Sequence, residues 1–195
     1  MTKNEKPIHP RKFEISRAAV TCFLERGYHQ TGVRDIAKQA GISLGNLYNH
    51  FKGKEAVLAF IAEIDGKELN GFIENLAETA DPRAALEGFI DDYAAYASRP
   101  ENALLGAEIL TEALRNETIA EVFGKDRRRM IDALAGCLGR GAKAGVFKPL
   151  SDETTVAWLI LDALEAQGLR SLSNSAQGAA TLKNIRGFLL GGVTP

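Results

Sequence analysis

The sequence predicts an all-α protein of about nine helices, in which a short three-helix head precedes a longer helical body. Apolar residues recur at spacings of three and four along most of the 195 residues, and no stretch alternates convincingly with period two. The six prolines fall mostly near the ends of these periodic runs, which leaves long segments free for helix. Charge divides where the pattern does. Residues 1–54 carry ten Lys/Arg against four Asp/Glu, a net +6, and residues 55–195 carry fourteen against twenty-one, a net −7. A basic head on an acidic body is the distribution that phosphate binding by one end of a molecule requires.

Within the head, Pro10 suits the first turn of a helix that turns Ile15, Ala18, Ala19, Cys22 and Phe23 inward, and Gly27 offers a left-handed stop after Arg26. A second short helix carries Val33, Ile36, Ala37 and Ala40 and stops at Gly41. A third starts after Ser43, a good N-cap, and carries Leu47 and Phe51. Lys54 begins a longer helix with Val57, Ile61, Ile64, Leu69, Phe72, Ile73 and Leu76 inward. Asp81-Pro82 is a cap followed by Pro at the first helical position, and it opens a helix with Leu86, Phe89, Ile90, Tyr93 and Ala97 on one face. Pro100 separates that helix from one holding Leu105, Ile109, Ala113 and Leu114. After Asn116 another runs through Ile119, Val122, Phe123, Met130, Leu134 and Leu138 towards Gly145. Ser151, with Asp152 and Glu153 in the first turn, opens a helix that is apolar on nearly every side from Val156 to Leu164. A last helix, near 176–190, carries Leu182, Ile185, Phe188 and Leu189 before Gly191-Gly192.

A helix apolar all round must be covered on every side, and few later residues remain to cover the last two. A symmetric dimer in which the helices over about 152–170 and 176–190 meet their copies in a four-helix bundle satisfies this, with Leu161 and Leu189 as seam positions; so does an ordinary monomer core. Composition is that of a soluble domain, 45% hydrophobic and 25% charged, with no apolar run near the roughly 18 residues of a membrane span. The opening MTKNEKPIHPRKFE has charge but no apolar run behind it, so a cytoplasmic protein without a signal peptide is expected. Cys22 and Cys137 sit among apolar residues at helical spacing and read as small core hydrophobes. With only His9, His29 and His50 besides, and no H-E-x-x-H, no metal site, cofactor or catalytic group is expected. Glu108 and Glu112, one turn apart, and the run Arg127-Arg128-Arg129 read as solvated or salt-bridged faces.

Function concentrates in Gly27–Lys54, which holds the parts of a helix-turn-helix in order: a first helix anchored by Val33, Ile36 and Ala37, a turn at Gly41, and a second helix capped by Ser43. Leu47 and Phe51 pin that second helix, leaving Leu44, Gly45, Tyr48 and Asn49 outward. Gly45 lacks a side chain, so the helix start can approach a duplex closely, and the amides there suit phosphate. The segment is similar, nearly position by position, to the DNA-binding head of the TetR/AcrR family. The pattern T-x-x-x-x-I-A, G-I-S, G-x-L-Y-x-H-F and K-x-K-E appears as Thr31 to Ala37, Gly41 to Ser43, Gly45 to Phe51 and Lys52 to Glu55.

This resemblance implies a two-domain homodimer, with a helix-turn-helix DNA-binding domain over 8–54 and a helical ligand-binding and dimerisation domain over 55–195. It also implies double-stranded operator DNA and an unidentified small-molecule effector as partners. Carried over residue by residue, Arg34 matches a base-reading position, and Arg suits a bidentate contact with guanine. Ser43, Leu44, Gly45 and Asn49 match positions facing bases or phosphates, and Tyr48, His50 and Lys54 match backbone-gripping ones. Leu44 stands where many members carry Lys, and Gly32 where Thr or Ser often caps, which leaves Thr31 to contact phosphate alone.

The resemblance implies a repressor released by its effector; the competing reading is a DNA-associated helical protein without a sensor, controlled by a protein partner or constitutive. A sensor needs a cavity, and Phe89, Tyr93, Tyr96, Glu108, Glu112 and Trp158 are candidates to line one, as against plain core. Asp162 and Glu165, inside an otherwise apolar helix, need partners, water, a ligand or a dimer contact.

Overall fold

The computed structural model describes residues 10–173 and 175–195, with side chains omitted over 175–180. His9 and the first two residues of the expected head lie outside the described residues. The described chain is helical throughout: α1 (Pro10–Arg26), α2 (Val33–Gln39), α3 (Leu44–His50), α4 (Lys54–Glu68), α5 (Asn70–Glu78), α6 (Pro82–Ala97), α7 (Pro100–Ala113), α8 (Glu117–Lys143), α9 (Glu153–Ser171) and α10 (Ser175–Val193). No strand occurs among the described residues.

The boundaries follow from local chemistry. Gly27, Gly41 and Gly145 take φ of 79°, 66° and 71°, the left-handed conformation that ends α1, α2 and α8 at little cost to glycine. Ser43 Oγ accepts the Asn46 amide at 3.2 Å, and Asp81 and Asn116 cap α6 and α8 in the same way. At the start of α9 the expectation was off by one residue: Asp152, not Ser151, is the cap, accepting the Thr154 amide at 3.0 Å. The single long helix expected from Lys54 is two, interrupted at Leu69. Gly66 and Gly71 flank the break, so little helix propensity holds the chain straight there. Leu114 is no core residue; it caps the exposed end of α7.

Two apolar clusters hold the molecule. The first packs α1, α2 and α3 through Ile15, Phe23, Ile36 and Leu47, and it extends into α4 through Val57 and Leu58 and into the body through Ile109 and Ile119. The second packs α6, α8 and α9 through residues such as Phe89, Ile90, Leu134, Cys137, Ile160 and Leu164. Both cysteines are free and fully buried, as small apolar residues. Arg186 ties α10 to α6 through Asp91 at 2.8 Å and Glu87 at 3.3 Å.

The two terminal helices place their apolar residues differently from expectation. Leu161 and Leu189 face the protomer's own core, whereas Leu159 and Phe188 are 61% and 79% exposed on the same two helices. Spacing alone could not separate these, because α9 is apolar on nearly every side.

Close packing of α9 on α6 depends on Gly168, where a Cβ would lie 2.2 Å from the Ala97 carbonyl oxygen. Gly168→Ala is expected to destabilise by about 1–3 kcal/mol. Gly88→Ala, with nothing within 4 Å of the added carbon on α6, should stabilise by about 0.5–1 kcal/mol. Urea unfolding of both variants checks the pair; equal midpoints would show that the α6–α9 contact is not tight.

Candidate nucleic-acid interface and body cavity

In the head, Leu47 is buried against Ile36 and Ala37, and at 3.6 residues per turn Gly45 and Asn49 lie on the opposite side of α3. Both are exposed, as are Ser43 and Tyr48, while Leu44 and His50 are half-buried on the flanks. Nothing in the chain lies within 4 Å of a Cβ built on Gly45, so that surface is open to a partner. Arg34 is exposed on α2, and the helix start beneath it is closed by Asp35, which accepts the Gly32 amide at 2.9 Å and pairs with Arg26 at 3.3 Å. The bond from Gly32 is the main reason the Asp35 carboxyl sits below the usual carboxylate range. This bond satisfies the amide of Gly32 itself, while no side chain at position 32 accepts from the first turn of α2.

Thr31 departs from the expected phosphate role. Its side chain is buried, and its hydroxyl faces the carbonyls of Gly27 at 2.9 Å and Cys22 at 3.1 Å. Thr31 clasps the turn between α1 and α2 and offers no surface to DNA. Lys54 is half-engaged: Nζ donates to the carbonyls of Tyr28 at 2.9 Å and His29 at 3.4 Å and lies 4.3 Å from the Tyr28 ring centroid. An ammonium has three donors, so two of them hold this turn.

The same turn joins head to body. Glu108 of α7 accepts the Tyr28 amide at 3.3 Å, and Glu112, one turn on, lies 3.7 Å from His29 Nε2. These two carboxylates, expected on a solvated or salt-bridged face, brace the turn that Lys54 also holds. Burial, with Glu55 and Glu112 nearby, pushes the Tyr28 phenol above its ordinary range.

Below the head, α4, α6, α7, α8 and α9 surround a cavity of about 310 Å³. Its apolar wall comes from Leu69, Leu110, Phe123, Met130, Leu161 and Leu169. Of the aromatic and acidic residues considered from sequence, Tyr93 and Tyr96 line it; Phe89, Glu108, Glu112 and Trp158 do not. Its polar side holds Asp65 and Asp126, which sequence reasoning missed, beside Arg127, Asp162 and Glu165. Arg127, expected on a solvated or salt-bridged face, is salt-bridged: it donates to both Glu165 oxygens at 2.7 and 2.8 Å and to Asp162 at 2.5 Å, and lies 5.0 Å from the Trp158 ring centroid. Tyr93 donates to Glu165 at 3.0 Å, and Tyr96 donates to Asp65. Burial pushes the Asp65 carboxyl above the usual range; the Tyr96 hydroxyl opposes this, and the carboxylates of Glu68, Asp126 and Glu165 add to it. A signal for Asp65 and for the inward place of Arg127 existed. Asp65 falls on the inward stripe Leu58-Ala62-Asp65-Leu69, and Arg127 on Phe123-Arg127-Met130-Leu134, charged positions where apolar ones belong.

Residues 15–60 match the family model described as bacterial regulatory proteins, tetR family. Over 166 residues the chain is 32% identical to the HTH-type transcriptional repressor KstR2 of Mycolicibacterium smegmatis, covering 81% of this chain and 78% of the relative. The fold superposes on the fatty acid degradation regulator FadR of Bacillus halodurans with a TM-score of 0.82 at 23% identity, covering 96% and 98% of the two chains. It superposes on FadR of Bacillus subtilis, solved in complex with stearoyl-CoA, with a TM-score of 0.76 at 24% identity, covering 92% and 98%. With the head motif, its exposed reading face and a full-length helical match together, this chain belongs to the TetR family of bacterial transcriptional regulators.

Proposed function

We propose that the chain is a transcriptional repressor that grips operator DNA as a homodimer and lets go when a small molecule fills the body cavity. The carrying observation is the position of α4: Val57 and Leu58 are buried in the head cluster, and Ala62, Asp65 and Gly66 line the cavity one to two turns later. An occupant that displaces α4 therefore displaces the head. Paired heads must lie about 34–36 Å apart to read successive major grooves, so a shift of a few Å breaks the register. The stearoyl-CoA bound to the Bacillus subtilis relative supports a ligand-receiving body. Residues 8–54 act as the reading unit and 55–195 as the sensing and dimerising unit. The work is binding rather than catalysis, done in the cytoplasm.

On DNA, Arg34 reads a base edge, and Ser43, Leu44, Gly45 and Asn49 face the major groove. Tyr48, His50 and Lys54 hold the backbone, with Thr31 serving beneath them as the clasp of the turn. Arg34→Ala should relax base preference, a loss of about 1–3 kcal/mol of discrimination. Lys54→Ala should weaken all sequences alike and lower the salt slope by about one unit. Selection from a random duplex pool with each variant, followed by salt titration, checks this; uniform loss of affinity in the Arg34 variant would reverse its assignment.

The dimer is held by α9 and α10 through Leu159 and Phe188. Replacing both with Glu should yield a folded monomer in sedimentation at micromolar concentration, with operator affinity reduced at least tenfold; an unchanged dimer places the interface elsewhere.

Effector and operator binding should oppose each other by the same factor, about 5–150-fold for two linked sites. A ligand found by thermal-shift screening, measured with and without operator duplex, tests this reciprocity. Equal affinities would favour a regulator that answers to a protein partner.

A further inference from the structure

The polar side of the cavity has an excess of acid and of acceptors. Asp65, Asp126, Asp162 and Glu165 border it, with Arg127 as the only basic residue in the lining among the described residues. Arg127 is already engaged by Glu165 and Asp162. Asp126 pairs at 3.2 Å with Arg129, which is largely exposed and does not line the cavity. Asp65 has no ion-pair partner among the described residues; its one contact is the Tyr96 hydroxyl. Every strong donor on this side is directed at an acceptor: Arg127, both tyrosine hydroxyls, and the Asn102 amide nitrogen, which donates to the Tyr96 carbonyl at 3.0 Å. Lone pairs on the four carboxylates and the amide oxygen outnumber the N–H groups left on Arg127 and Asn102.

An anionic ligand here would meet four carboxylates and would compete with Glu165 and Asp162 for Arg127. A cation meets the opposite situation. It supplies the missing counter-charge for Asp65, donates to oxygens with vacant lone pairs, and can lie against the Tyr93, Tyr96 and Phe123 rings. The remaining wall is apolar.

We propose that the effector cavity takes an apolar molecule bearing a cationic nitrogen, with its charge against Asp65 and its apolar part between α7, α8 and α9. This rests on the cavity being the effector site, and it departs from the acyl-CoA ligand of the Bacillus subtilis relative.

Octylammonium, octanoate and 1-octanol are matched in chain length and differ in headgroup charge. Binding of each to the full-length protein is measured by calorimetry. Octylammonium should bind at least tenfold more tightly than either of the others. Asp65→Asn, which keeps an acceptor for Tyr96, should remove that preference while leaving 1-octanol affinity within about twofold. A variant that fails to bind 1-octanol is set aside for the unmodified chain, where the preference should grow as pH rises and Asp65 loses its retained proton. Octanoate binding most tightly, no preference for octylammonium, or a preference unaffected by Asp65→Asn and by pH would each overturn the proposal. Operator affinity measured in parallel separates it from the reading it rests on. Asp65-dependent octylammonium binding that leaves operator affinity unchanged overturns the regulatory role of the cavity and not its charge preference; operator release by octanoate does the reverse.

Discussion

One helix joins the core of the head to the wall of the body cavity, and the molecule is arranged around that fact. The first turns of α4 supply Val57, Leu58 and Ile61 to the cluster that holds the head together, and its later turns supply Ala62, Asp65 and Gly66 to the wall of the body cavity. Interiors pack densely and adjust by discrete shifts rather than by smooth deformation. A change at the cavity wall therefore reaches the head through continuous buried contact, without a flexible linker to absorb it. The break falls at Leu69, itself on the cavity wall, so α4 is a short lever and not the start of a long rod.

The head adds a second brace at the turn after α1. Gly27 supplies the backbone conformation, Thr31 closes the turn from inside, and Lys54 closes it from the start of α4. Glu108 and Glu112 of α7 meet the same turn from the body. α4 and α7 thus converge on Tyr28 and His29, next to the helix pair that presents Arg34 and α3. A small head cannot bury much apolar surface by itself, and sharing Ile109 and Ile119 with the body makes good part of that shortfall.

The cavity is apolar on one side and charged on the other. Its polar side is a network in which one guanidinium serves two carboxylates, two tyrosines serve two carboxylates, and one carboxylate is left with a hydroxyl alone. Asp65 is the member of this network without a cation, and burying an unpaired charge is costly. Asp65 responds by holding its proton above the usual range, the ordinary behaviour of a partly buried acid without a cation.

Local patterns in the sequence were enough for the helical class, the glycine-terminated turns, the Ser43 and Asp81 caps and the reading face of α3. Each depends on neighbours within about one or two turns, and backbone geometry translates such spacing directly into orientation. Asp65 and Arg127 also fall on inward stripes of the sequence, but the reading from sequence passed over Asp65 and placed Arg127 on a solvated or salt-bridged face. Tertiary structure alone decided what they meet. Arg127 finds Glu165 across 38 residues, Tyr96 finds Asp65 across 31, and Glu108 finds the Tyr28 amide across 80. It also decided that Leu161 and Leu189 turn inward while Leu159 and Phe188 stay exposed, because a helix apolar on all sides has no periodicity to mark its face. Thr31 shows the same division: its place in a motif was plain from sequence, but whether its hydroxyl faced solvent or the carbonyls of Cys22 and Gly27 depended on how α1 and the turn closed around it.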